Sequence, residues 1–214
     1  MTCVAAIQMI SSADVGLNLD GASRLLREAR AQGARVAALP ENFAFMGVAE
    51  ADKFAIAEID GDGPIQARLA ALASELGLWI IAGTIPLRVP GETRLAAACL
   101  VYDAAGRRVA RYDKIHLFDV EIPGKDERYQ ESSSVRPGAT PVCVDTPAGR
   151  LGLAVCYDLR FADEMWATAK DTDCYVFVAN WPEKRRQHWI ALLQARAIEN
   201  QAYVVGCNRV GEGG

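Results

Sequence analysis

Short apolar runs alternate along this chain with longer stretches whose apolar residues recur every three or four positions. That alternation of two periods constrains the fold more than any other feature. Val4 to Met9, Val36 to Leu39, Trp79 to Thr84, Ala97 to Tyr102 and Val109 to Tyr112 read as strands, as do Val142 to Val144, Leu151 to Val155, Tyr175 to Ala179 and Tyr203 to Cys207. Leu19 to Gln32 carries Ala22, Leu25, Leu26 and Ala29 on one helical face and stops at Gly33; Ile65 to Leu76 repeats the spacing behind Pro64 and stops at Gly77. Further helices are expected from about Ala162 and from Glu183 to Gln201. Asp103 to Gly106 and Thr146 to Gly149 are hairpin signals, so the expected class is α/β: a layered sheet with some antiparallel pairs. Ile115 to Pro141 lacks periodicity, and a long loop inside a compact domain is usually functional.

With 51% hydrophobic residues, 214 residues suffice for one domain, 1–214, burying roughly 70% of its unfolded surface. The formal net charge of −4 gives no broad positive field, so nucleic acid is not an expected partner. The first cation is Arg24, and the uncharged run Leu76 to Leu87 falls well short of the ~18 residues that span a bilayer, so neither a signal peptide nor a membrane span is expected. Cys3, Cys99, Cys143, Cys156, Cys174 and Cys207 lie scattered, with no CxxC pair. Reduced thiols in a cytoplasmic protein, without a metal site, are the expectation.

In open α/β sheets the ligand crevice lies beyond the carboxyl ends of the strands. Three reactive side chains stand there: Glu41 after Val36 to Pro40, Lys114 after Arg111 to Asp113, and Cys156 after Leu151 to Val155. Singly, each has a plainer reading, the cysteine as a buried small hydrophobe and the others as solvated surface. A thiol of pKa ~8.5 needs a base or a nearby cation to act as a nucleophile near neutrality. Only two histidines are available: His188 on an amphipathic helix, and His116 two residues past Lys114. A carboxylate can take the thiol proton when an ammonium stabilises the charges, so Glu, Lys and Cys are a chemically sufficient set for acyl transfer.

Four segments, in order, resemble the nitrilase superfamily of carbon-nitrogen hydrolases: Leu39-Pro40-Glu41-Asn42, Tyr112 to Phe118, Val155 to Phe161, and Ala195 to Gln201. The resemblance implies a four-layer αββα sandwich and a catalytic triad falling on Glu41, Lys114 and Cys156, with no metal or organic cofactor. A second glutamate that orients substrate corresponds to Glu131, with Glu127 as the alternative. The implied mechanism is attack by Cys156 on an amide carbonyl, with Glu41 as base, Lys114 and the Tyr157 N–H at the oxyanion, then ammonia release and hydrolysis of a thioester.

Within the superfamily, Val178 to Pro182 and Gly206 to Gly211 resemble omega-amidases, whereas Asp119 to Ser132 resembles the Nit-type amidases that include deaminated-glutathione amidases. The expected substrate is a small 2-oxo dicarboxylic acid mono-amide; deaminated glutathione, an N-carbamoyl compound, or an idle binding module are the alternatives. Tyr157, Arg160, Asn180 and Trp181 follow strand ends beside Cys156 and are candidates to line the substrate pocket, Trp181-Pro182 doubling as a helix-start packing element. Arg160 or Arg209 would anchor a substrate carboxylate, the competing role for either being a structural salt bridge. Family members continue for several dozen residues beyond Gly214, so the domain is expected to be C-terminally incomplete and the complete protein a homodimer or higher homo-oligomer.

Overall fold

The computed structural model describes residues 2–121 and 128–211. Its first sheet contains β1 (Val4–Ala6), β2 (Val36–Leu39), β3 (Trp79–Ala82), β4 (Ile85–Arg88), β5 (Leu95–Tyr102) and β6 (Arg108–Asp113). β1, β2 and β3 run parallel; β5 runs antiparallel to β3 and β4 on one edge and to β6 on the other. A short antiparallel ribbon follows, β7 (Asp119–Glu121) with β8 (Arg128–Gln130). The second sheet has the order β12, β11, β10, β9: β9 (Val142–Thr146) is antiparallel to β10 (Gly149–Val155), which runs parallel to β11 (Cys174–Ala179), as β11 does to β12 (Tyr203–Asn208). Helices α1 (Val15–Ala31) and α2 (Pro64–Leu76) belong to the first sheet, and α3 (Ala162–Thr168) and α4 (Arg186–Asn200) to the second.

Three separate apolar cores make this a four-layer sandwich. Side chains alternate across a strand, so a strand covered on both faces reads as a continuous apolar run. Ala37 and Leu39 of β2 face Leu26 of α1 and Leu69 of α2 in one core. Their neighbours Val36 and Ala38 face Leu153, Val155, Val176 and Val178 across the middle of the molecule. Tyr175 and Phe177 then turn outward to Met165, Leu193 and Trp189. The layer order is therefore helix, sheet, sheet, helix, as expected. The thiol of Cys207 on β12 lies within hydrogen-bond reach of the carbonyls of Ile7 (3.2 Å) and Ala38 (3.1 Å), so its one hydrogen ties the two sheets together at this point.

Local signals explain the element ends. The Asp14 carboxylate accepts from the N–H of Leu17 at 2.9 Å and caps α1 one turn earlier than the apolar spacing suggests. Pro64 opens α2, and Gly77 closes it in the left-handed region at φ 58°. Three expectations need correction. β4 escapes a reading by pattern because Pro86 interrupts it, which the sheet tolerates because β4 is an edge strand. Ile115 to Pro141 is not structureless, since it holds β7 and β8. Residues 183–185 form a separate single turn, so α4 itself starts at Arg186. Glu127 lies outside the described residues. No described helix is long and apolar enough to cross a membrane.

Candidate active site

The strand ends of the two sheets converge. Glu41 follows β2 on a tight turn where Asn42 adopts φ 57°, its N–H donating to Thr84 Oγ1 at 3.0 Å. That turn is possible because Gly83 passes beneath it: a Cβ there would lie 2.0 Å from the Pro40 carbonyl oxygen. Lys114 is the first residue beyond β6, tied to β5 through its N–H to the Ala97 carbonyl at 3.0 Å. Cys156 directly follows β10 with φ 47°, a conformation that L residues other than Asn, Asp and His rarely adopt. Such strain costs of order 1–3 kcal/mol and persists where neighbours over-determine it.

Lys114 is the hub. Its ammonium donates to Glu41 Oε1 at 2.9 Å and to both oxygens of Glu131, at 3.1 and 2.9 Å. All three residues are buried, with exposures of 2%, 4% and 8% for Lys114, Glu41 and Glu131. Glu131 Oε2 also accepts from the Phe118 N–H at 2.7 Å, and Glu41 Oε2 from the Asn180 N–H at 2.8 Å. Burial by itself would lower the Lys114 pKa, but the carboxylates of Glu131 and Glu41 hold it well above the ordinary value. Glu131 is held below the ordinary carboxylate range: its burial is outweighed by the ammonium and the Phe118 N–H.

Cys156 retains some surface accessibility, yet its thiol sits among protein groups. Burial and the adjacent Glu41 carboxylate push its pKa well above that of a free cysteine, against the opposing pull of Lys114 and the Asn180 N–H. The thiol lies close enough to Glu41 to feel its charge. One ammonium already serves two carboxylates, so a resting thiolate would add a second uncompensated negative charge. This arrangement keeps sulfur protonated with a carboxylate poised to take the proton. The other buried thiols have no such partner: burial drives Cys99 and Cys207 up to about 12 and Cys174 up to about 11.

Of the four candidate pocket residues, three form one assembly. The exposed Arg160 guanidinium lies over the Tyr157 ring at 5.7 Å and the Trp181 ring at 4.9 Å, and 3.5 Å from His188 Nδ1. Among the described residues it pairs with no carboxylate. Trp181 is largely buried, its indole N–H donating to the Arg185 carbonyl at 3.0 Å and its ring packed on Trp189, so it serves as a packed platform. Asn180 contributes its backbone N–H to Glu41, while its side chain faces Met46 Sδ at 3.9 Å. Arg209 is buried at the end of β12 and feels the Glu41 charge.

Several site-supporting residues carried no distinct signal in the sequence. Arg196 of α4 donates through Nε (3.1 Å) and Nη2 (2.9 Å) to the Leu159 carbonyl, pinning the turn that begins at Cys156. Its place inside the matched segment Ala195 to Gln201 was the one available clue. His116 is not a base for Cys156: its ring stacks on Phe161 (3.7 Å between centroids) and its Nδ1 lies 3.0 Å from Asp158 Oδ1 and 3.1 Å from Glu164 Oε2. These three are the one set among the described residues with ligand atoms spaced closely enough for a metal ion. Both Asp158 oxygens, however, are already taken by donors.

A four-layer sandwich that brings Glu41, Lys114, Glu131 and Cys156 together at its converging strand ends is the arrangement that the nitrilase resemblance implies. The chain belongs to the carbon-nitrogen hydrolase family, whose model matches residues 3–214. It is 35% identical to a deaminated glutathione amidase of Yersinia enterocolitica across 99% of this chain and 74% of that protein. It is 36% identical to a chloroplastic omega-amidase of Arabidopsis thaliana, over 97% of this chain and 57% of that protein. In structure it resembles the Caenorhabditis elegans NitFhit protein, with a TM-score of 0.89 and 31% identity over 100% of this chain and 53% of that one. The chain thus spans between about half and three quarters of these relatives.

Proposed function

We propose that the chain is an amidase acting through a cysteine thioester on the terminal amide of a small carboxylic acid, with a 2-oxo dicarboxylic acid mono-amide as substrate. The observation that carries this reading is the buried Lys114 ammonium bridging Glu41 and Glu131, with the Cys156 thiol close enough to the Glu41 carboxylate to feel its charge. Glu41 takes the thiol proton as Cys156 sulfur bonds to the carbonyl carbon. The oxyanion is stabilised by Lys114 Nζ and the Tyr157 N–H; losing one such donor costs roughly 2.7–4 kcal/mol in comparable sites. Glu41 returns the proton to the amide nitrogen, the C–N bond breaks and ammonia leaves. Water then gives a proton to Glu41 and attacks the thioester, freeing the acid and the thiol. Glu131 holds Lys114 in place and orients the amide.

Arg160 supports a substrate carrying a carboxylate: a planar cation stacked on two rings presents its edge for bidentate pairing. Measuring ammonia release from 2-oxosuccinamate, N-carbamoyl compounds and neutral primary amides, and release of cysteinylglycine from deaminated glutathione, tests the reading. Cys156→Ala is expected to abolish release. Faster turnover of deaminated glutathione or of an N-carbamoyl compound would overturn the substrate choice, and release by Cys156→Ala at the parent rate would overturn the chemistry. Because Cys3 is exposed, thiol alkylation should be read in a Cys3→Ser background.

A further inference from the structure

A second buried cluster brackets the two reacting residues. Tyr112 and His116 stand two residues either side of Lys114, while Val155 and Asp158 flank Cys156. Tyr112 is fully buried, and its hydroxyl oxygen lies 2.7 Å from Asp158 Oδ2 and 2.7 Å from Glu164 Oε1. A phenol has one hydrogen, so it can donate to only one of these carboxyl groups. The other short contact needs a hydrogen from the carboxyl side.

Asp158 is the ionised partner by the count of donors aimed at it. Its Oδ1 accepts from the His116 N–H at 2.8 Å and lies 3.0 Å from His116 Nδ1; its Oδ2 accepts from the Val155 N–H at 2.8 Å. Among the described residues, the donors beside Glu164, on α3, are Tyr112 and His116 Nδ1. We infer that Glu164 is held as the neutral acid, donating its hydrogen to the Tyr112 hydroxyl so that Tyr112 donates to Asp158, and that this chain clamps the Cys156 turn to the Lys114 strand end. Glu164 is therefore a positioning residue.

Burial and the Asp158 charge push the Glu164 acid up to about 7, against the pull of Tyr112 and His116. Asp158, Tyr112 and His116 are the titratable groups that face it. When Glu164 loses its proton, two carboxylates compete for the single Tyr112 hydrogen and the Asp158 end of the clamp slackens. Asp158 accepts from the Val155 N–H directly before Cys156, so the effect reaches the backbone next to the sulfur.

The kinetic consequence rests on the Glu41, Lys114 and Cys156 reading; the proton on Glu164 does not. Infrared difference spectroscopy of the parent protein against Glu164→Gln tests it directly. The carbonyl stretch of a protonated carboxylic acid is expected in the parent on the acid side of about 7, fading as pH rises through that value. It should be missing in Glu164→Gln. Absence of that band from the parent, or its persistence in Glu164→Gln, would overturn the inference.

With 2-oxosuccinamate as substrate, Glu164→Ala is expected to lower kcat roughly 10- to 100-fold with little change in KM, the scale associated with misplacing reacting groups by about 1 Å. Glutamine, which donates like the neutral acid, should restore most of that loss and remove the alkaline decline of kcat. Identical pH profiles for the parent and Glu164→Gln, or equal losses in Ala and Gln, would defeat the positioning role. If the parent hydrolyses no amide, the proposed function fails while the infrared result still decides the protonation.

Discussion

The molecule solves one electrostatic problem twice, at neighbouring places and by different means. Around Lys114, two buried carboxylates are balanced by a permanent cation. Around Tyr112, two buried carboxylates are balanced by a shared proton and an adjacent imidazole. A permanent ion pair fixes charge over a wide pH range, whereas a proton-balanced pair titrates where its members do. The first arrangement suits groups that must keep one charge state through a reaction. The second holds geometry and gives way as the proton leaves.

The sharpest way to break the comparison is to remove the cation. Lys114→Ala leaves Glu41 and Glu131 buried and facing each other, and breaking a buried pair in this way typically costs about 3–5 kcal/mol. Denaturant unfolding is expected to show that loss, alongside a kcat fall of roughly 10²-fold or more if Lys114 is the proposed oxyanion donor. A Lys114→Ala protein as stable as the parent would mean that the two carboxylates escape each other by moving or taking up a proton.

The next effect separates the clusters by pH. Lys114, with its pKa raised, contributes stability that is complete at neutrality and is lost only as pH rises through a value above 10.5. Glu131, with its pKa lowered, contributes stability present above 4.5 and lost as pH falls through its folded value. Glu164 works in the opposite sense to Glu131. Its folded pKa is raised to about 7 from 4.5, so the native state binds the proton more tightly and stability falls as pH rises between those values. The loss is on the order of 3 kcal/mol. Glu164→Gln should flatten that slope, and an unchanged slope would place the titration elsewhere.

A smaller loss is expected on the helix side of the site. Arg196→Ala removes both donors from the buried Leu159 carbonyl, and leaving such an acceptor unpaired costs roughly 1–3 kcal/mol. Its effect on turnover should follow the same turn, since Leu159 lies three residues beyond Cys156. Arg196→Ala with unchanged stability would mean that another donor replaces it.

Apart from β4, β7 and β8, strand and helix identities were legible because both-face burial leaves apolar runs and one-face burial leaves a helical stripe. Leu39-Pro40-Glu41 and Val155-Cys156-Tyr157 could be read because the reactive residue directly follows such a run. Glu131 was reachable only through resemblance, since nothing in Tyr129-Gln130-Glu131-Ser132 announces burial. The clamp was not legible at all. Tyr112, Asp158 and Glu164 come from a strand, a turn and a helix, and each looks like an ordinary polar residue until folding removes the water between them. The left-handed backbone at Cys156 was equally hidden, because no glycine marks it.

The smallest effect, and the one that sharpens the substrate assignment, is expected at Arg160. Unlike Lys114 it is exposed, and it is stacked on Tyr157 and Trp181 with no carboxylate partner among the described residues, so its removal leaves no buried charge unpaired. Stability should barely change. If Arg160 binds the distal carboxylate of the substrate, Arg160→Ala should raise KM for 2-oxosuccinamate about 10-fold, which corresponds to ~1.4 kcal/mol, while leaving KM for a neutral amide of similar size nearly unchanged. Arg160→Lys should recover part of the difference, because it keeps the charge but loses the planar fork and the stacking. Equal changes for charged and neutral amides would remove Arg160 from the recognition of carboxylate and leave the buried Arg209 as the guanidinium to test next.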